Sequence, residues 1–107
     1  MMRRGDVLWV RVPKSTIGHE QSGGRYAIVL QASELPLSTV IVAPTSTHAL
    51  ATSFRPEVEI AGRRTCVLTE QLGAVDRRRL GEPSGRLTWE ELEAVDRALE
   101  LVLGLTR

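Results

Sequence analysis

Arg25, Glu20 and His19 sit on the stretch Gly18-His19-Glu20-Gln21-Ser22-Gly23-Gly24-Arg25-Tyr26. With the run Thr45-Ser46-Thr47-His48, they are the side chains whose types and spacing could do chemistry. Together they supply a fixed cation, a carboxylate, two imidazoles and a cluster of hydroxyls, a set suited to phosphate. Cleaving a phosphodiester whose sugar carries a 2′-hydroxyl can proceed without a metal, because the substrate brings its own nucleophile. The protein then needs a base near that hydroxyl, a cation or donors for the charge developing at phosphorus, and an acid for the leaving 5′-oxygen. Arginine is effectively always protonated and makes a poor base, so Glu20 or His19 is the better candidate, or Glu20 serves to orient Arg25. Ser46, with Thr45 and Thr47, could donate to a non-bridging oxygen. His19 and His48 are the only histidines, and a cleavage assisted by imidazole would want both near one phosphate.

Each of these has a plainer reading. Arg25 could be a surface arginine at a strand start, loop histidines are commonly solvated, and Ser and Thr gather at strand ends because they satisfy turn backbone. Other signatures are weak or missing. There is no Gly-x-Ser-x-Gly, no Walker lysine pattern and no GxGxxG after a strand. Glu57 and Glu59 read as a solvated strand face rather than a metal pair, and no metal or cofactor is implied. Arg77-Arg78-Arg79 reads equally as a patch holding a nucleic-acid strand or as a solvated turn. The single cysteine, Cys66, can form neither an internal disulfide nor a CxxC clip, and its apolar setting reads as structural.

The elements that must position these groups are mostly strands. The chain, 107 residues long, reads as one domain over residues 1–107. Asp6 to Val12 is β-branched and apolar and forms strand one, with Trp9 as a core anchor. Arg25 to Gln31 is strand two, whose unbroken Ala27-Ile28-Val29-Leu30 implies burial on both faces. Thr39 to Ala43 is strand three, ended by Pro44 because proline cannot donate to a ladder. Glu57 to Ile60 alternates with period two, Gly62-Arg63-Arg64 is a hairpin turn, and Thr65 to Thr69 is the return strand. Leu72 to Val75 reads as a short strand and Asp76 to Gly81 as a helical turn. The last element is a helix opened by the capping box Thr88-Trp89-Glu90-Glu91, with Leu92, Val95, Leu99, Val102 and Leu103 on one stripe. Glu93 and Arg97 pair across a turn, and Gly104 caps the end. The fold class is therefore mainly β with a C-terminal α-helix.

Charge is uneven: residues 1–86 hold twelve basic residues against eight acidic, and residues 87–107 hold two against five. Nearly all the positive charge is arginine, which permits a nucleic-acid partner without requiring one. No run of eighteen apolar residues and no signal-like segment occurs, so the expectation is a soluble, cytoplasmic protein with no membrane partner.

Taken together, several segments carry a resemblance. Arg4-Gly5-Asp6-Val7-Leu8-Trp9-Val10, Gly18-His19-Glu20-Gln21, Gly24-Arg25-Tyr26-Ala27-Ile28-Val29, Ile41-Val42-Ala43-Pro44-Thr45-Ser46 and Leu68-Thr69-Glu70-Gln71, followed by the closing helix, occur in one order. In that order the chain resembles the MazF/PemK toxins of bacterial toxin-antitoxin systems, which are mRNA-cleaving endoribonucleases. The resemblance implies an SH3-like small β-barrel with a C-terminal helix, and a homodimer. It also implies sequence-specific, metal-independent cleavage of single-stranded RNA, leaving a 2′,3′-cyclic phosphate and a 5′-hydroxyl. The family's catalytic arginine falls on Arg25. Its catalytic threonine, two residues after the proline, falls on Ser46 between Thr45 and Thr47, so which hydroxyl acts stays open. The family's Arg-Pro is Arg25-Tyr26 here and its Gly-Ser-Glu-Gln is Gly18-His19-Glu20-Gln21, which turns attention to His19 and Tyr26. Substrate contact is expected at His19, Gln21, Tyr26, His48, Gln71 and Arg77.

The implied partner is a cognate antitoxin whose acidic, disordered tail would compete with RNA for the basic body. Two alternatives come from other classes. One is a gyrase poison of the related CcdB kind, acting through its C-terminal helix, and the other is a non-catalytic barrel that binds RNA or regulates its own operon.

Overall fold

The computed structural model describes residues 2–12 and 23–105. Seven strands and one helix follow in the order β1 (Asp6–Val12), β2 (Gly23–Val29), β3 (Thr39–Ser46), β4 (Glu57–Ile60), β5 (Arg63–Val67), β6 (Gly73–Asp76), β7 (Leu80–Arg86) and α1 (Trp89–Val102). Single turns of 3-10 helix precede β6 (Thr69–Gln71) and β7 (Arg77–Arg79). All the pairings among the named strands are antiparallel.

The hydrogen-bonded succession β6-β3-β2-β1-β7 has its two ends joined by the Arg77–Arg79 turn, so the sheet curls into a small barrel. Leu8, Val10, Ala27, Val29, Val40 and Val42 fill one face of it, flanked by Met2, Val75 and Leu80. The opposite face carries Val7, Ile28, Leu30 and Ala43, covered by Val58, Ile60 and Val67 of the β4-β5 hairpin and by Leu87, Val95 and Leu99 from the helical end. Successive residues of β1 and β2 therefore serve two different cores. That is the physical reason for the unbroken apolar runs in both strands.

β3 belongs to both layers. Its first half, Thr39 to Val42, pairs with β6, and its end, Thr45 and Ser46, pairs with β5. Pro44 does not end this strand, contrary to the expectation from sequence. Its carbonyl accepts from Leu68 N at 2.9 Å, on the edge where β3 passes from one partner to the other, so the missing N–H falls in the gap between two ladders.

The β4-β5 turn is Ala61-Gly62 and not Gly62-Arg63-Arg64. Both turn residues have positive φ, 53° and 77°, which is the two-residue geometry that matches strand twist. Arg63 and Arg64 belong to β5. Strand two begins earlier than expected and its ladder stops at Val29, after which Leu30 N still donates to Ile41 O at 2.9 Å and the Gln31 side-chain amide adds to it, donating to Thr39 O and accepting from Ile41 N. β7 was not expected at all. Its Gly and Pro residues are accommodated because it pairs with β1 through two register shifts.

The helix forms as the sequence predicts. Thr88 Oγ1 accepts from Glu91 N and the Glu91 carboxylate accepts from Thr88 N, completing the capping box. Arg97 and Glu93 pair at 3.3 Å, and Gly104 closes the helix with φ 69°. Val95 and Leu99 are buried, joined by Ala98, whereas Leu103 is exposed beyond the docked turns. Trp9 also departs from expectation: it is 44% exposed and does not anchor the core.

Candidate nucleic-acid cleavage site

β2 and β3 pair through Ala27 with Pro44 and Ile28 with Ala43. Carrying that register past the last ladder pair places Tyr26 across from Thr45 and Arg25 across from Ser46. On the other side of β3, Thr45 and Ser46 face Val67 and Cys66 of β5. Ser46 is thus fixed by its pairing with β5, and Arg25, near the start of β2, lines the same cavity. Rigid strands make this a well-fixed location for a cation and a hydroxyl.

The three hydroxyls differ in what they can still do. Thr45 is 6% exposed, and its Oγ1 donates to Tyr26 O at 2.8 Å, which uses its proton structurally. Ser46 Oγ accepts from the backbone N–H groups of His48 and Ala49, both at 3.1 Å. A hydroxyl oxygen has two acceptor sites and one proton. With both acceptor sites taken, Ser46 retains an O–H that can only donate, the property wanted at a developing oxyanion. Thr47 is exposed at the turn.

These groups open onto a cavity of about 260 Å³. Arg25, Tyr26, Thr45, Ser46, Thr47 and His48 form one side of it, and Ile60, Ala61, Arg63 and Thr65 of the hairpin form the other, with Trp9 at the rim. Six of the residues singled out in the sequence therefore come together. His19, Glu20 and Gln21 lie outside the described residues. Gln71 lines a neighbouring cavity of about 200 Å³ that Arg25 also borders. Arg77 is elsewhere: its Nε donates to Leu37 O at 2.6 Å, and it borders a separate cavity with Met2 and Val40. Among the described residues no cluster of three His, Cys, Asp or Glu could hold a metal ion.

Of the five cavity residues that the sequence did not single out, Arg63 and Trp9 are the two whose side chains offer a charge or an aromatic face. A two-residue Ala-Gly turn would have put Arg63 opposite Ile60, the pairing observed. Trp9 was recoverable from its strand partner, since Tyr26 lies directly across from it. Cys66 is buried, with Sγ 3.4 Å from Ala49 O, beneath the turn that Ser46 organises.

Arg55 and Glu70 pair beside the start of the 3-10 turn. The Arg55 guanidinium holds the Glu70 carboxyl below the usual carboxylate range, and the pair fastens the loop after His48 to the end of β5. No helix among the described residues is long and apolar enough to cross a membrane.

A small barrel of SH3-like build, closed by a 3-10 turn and backed by a terminal helix, is the class this architecture defines. Sequence comparison narrows it. Residues 3–103 match the PemK-like, MazF-like toxins of type II toxin-antitoxin systems, and the chain belongs to that family. It is 38% identical over 106 residues to a Mycobacterium tuberculosis protein named as a candidate toxin, covering 98% of this chain and 100% of the relative. It is 29% identical over 113 residues to the endoribonuclease EndoA of Bacillus subtilis, covering 98% of this chain and 97% of that one. MazF of Deinococcus radiodurans superposes with a TM-score of 0.78 at 24% identity, over 96% of each chain. A mycobacterial endoribonuclease solved with its cognate antitoxin superposes with a TM-score of 0.80 at 15% identity, over 100% of this chain and 99% of that one. At those identities the superpositions establish the shared fold.

Proposed function

We propose that this toxin is a metal-independent endoribonuclease of the cytoplasm that cleaves single-stranded mRNA at a short sequence and is neutralised by a cognate antitoxin. The observation that supports the reading is that Arg25 lines the same cavity as Ser46, whose hydroxyl is free only to donate. The family membership and the EndoA relative support it. Glu20, five residues before Arg25 in the chain, takes the proton of the substrate 2′-hydroxyl. The O2′–P bond forms, and the negative charge that gathers on the non-bridging oxygens is met by the Arg25 guanidinium and the Ser46 O–H. The P–O5′ bond then breaks, and His48, at the same cavity, protonates the departing oxygen. The products are a 2′,3′-cyclic phosphate and a 5′-hydroxyl.

Two copies of the chain form the working unit, and an acidic antitoxin segment occupies the same basic surface as RNA. The test is incubation of the purified protein with a long RNA in EDTA, followed by mapping of the ends. Wild-type protein should cut at a recurring short sequence, and Arg25→Ala should lower the rate by at least about a hundredfold while remaining folded. Full activity in Arg25→Ala would sink the assignment. Toxicity without RNA cleavage would instead favour a gyrase poison.

A further inference from the structure

We propose that Trp9 is the stacking platform for the nucleobase beside the scissile phosphate, an inference that rests on the endoribonuclease reading. An aromatic side chain that is 44% exposed on a central strand leaves considerable apolar surface in water, and this one faces the cavity that holds Arg25 and Ser46. It is also held still. The Tyr26 ring meets the indole edge-on, with centroids 5.1 Å apart and planes at 84°. On its other flank the indole lies across Gly24, where a methyl group would come within 2.7 Å of Nε1 and 2.9 Å of Cε2. Gly24 thus gives the ring room to lie down over the sheet, and Tyr26 fixes its tilt.

A flat, immobilised and solvent-open ring next to a phosphate-binding pair is what single-stranded nucleic acid stacks on. Ordering the ring beforehand removes much of the entropic cost of stacking. Arg63, on the hairpin wall of the same cavity, supplies a planar donor to the edge or phosphate of the stacked nucleotide.

The experiment begins from the cleavage site mapped in a long RNA. A short RNA spanning that site, with a 2′-deoxy sugar at the attacking position, serves as an uncleavable probe. In a Trp89→Phe background Trp9 is the only tryptophan, and its emission should be quenched when the probe binds. Trp9→Ala and Trp9→Leu should weaken probe binding by about 5- to 150-fold, and Trp9→Phe should retain most of it. An abasic nucleotide on one side of the scissile phosphate should cost the wild type a similar factor and cost Trp9→Leu nothing further. Wild-type cleavage accompanied by unquenched Trp9 emission, or by equal binding to Trp9→Leu, overturns the inference alone. Absence of any RNA cleavage by the wild type overturns the endoribonuclease reading, and the inference with it.

Discussion

Replacing Thr45 by Val and Ser46 by Ala, one at a time, should separate a hydroxyl that holds the fold from one that handles charge. Thr45→Val keeps the shape but deletes the 2.8 Å bond to Tyr26 O at a residue only 6% exposed. Losing that bond and leaving a shielded carbonyl unpaired costs about 1–3 kcal/mol. For a domain of this size that lowers the melting temperature by roughly 4 °C or more. Ser46→Ala removes an acceptor shared by two backbone N–H groups at a half-exposed turn where water can replace it, so its stability cost stays at about 1 kcal/mol or less. Its effect on turnover is larger, about 10²–10³ in kcat, as for removal of one oxyanion donor. The assay pairs urea denaturation with initial rates of RNA cleavage on both variants at a temperature where each is folded. If Thr45→Val abolishes cleavage at undiminished stability while Ser46→Ala cuts normally, the division of roles between the hydroxyls is wrong.

The Arg78 guanidinium and backbone N–H hold the Asp76 carboxyl down to about 2, below its ordinary 3.8. The unfolded chain then binds more protons between those values, so the stabilisation is present above about pH 4 and is lost as pH falls through about 2. Asp76→Asn should flatten the acid limb of a stability-versus-pH curve by lowering its neutral plateau toward the acid value, leaving stability near pH 2 unchanged. Gly24→Ala puts a methyl 2.5 Å from Val10 O and should cost about 1–3 kcal/mol, with a shift in Trp9 emission that a purely global effect would not produce. Thr88→Ala removes the helix cap and should cost about 1 kcal/mol by thermal melting, with RNA cleavage by the folded protein unchanged.

Where local chemistry alone decides an element, the sequence was sufficient. The capping box, the apolar run of β2 and the glycine after α1 each act within a few residues, and each is where it was expected. What escaped were features set by partners distant in the chain. Pro44 reads as a stop until β3 is seen to change partners there. The Gly-rich segment of β7 reads as loop until β1 is seen to pair with it irregularly. Trp9 was assigned to the core because aromatic residues on strands usually bury, and only the Gly24 and Tyr26 neighbours on β2 explain its open position. At the candidate site, residue types pointed to Arg25 and the 45–48 run, which line one cavity, but the ranking of three adjacent hydroxyls required their hydrogen-bond partners.

Pro44 also acts as a ruler. A residue without an N–H can occupy only a position on β3 where no ladder bond is due, and the space between β6 and β5 is such a position. Sliding the strand by one residue would carry its nitrogen to the opposite edge, beside β2, and forfeit a bond there. The same slip would exchange Thr45 and Ser46 between the two faces of the sheet. The imino acid therefore measures out the distance to the donating hydroxyl, two residues further on, and makes any miscounted pairing of this strand costlier than the correct one.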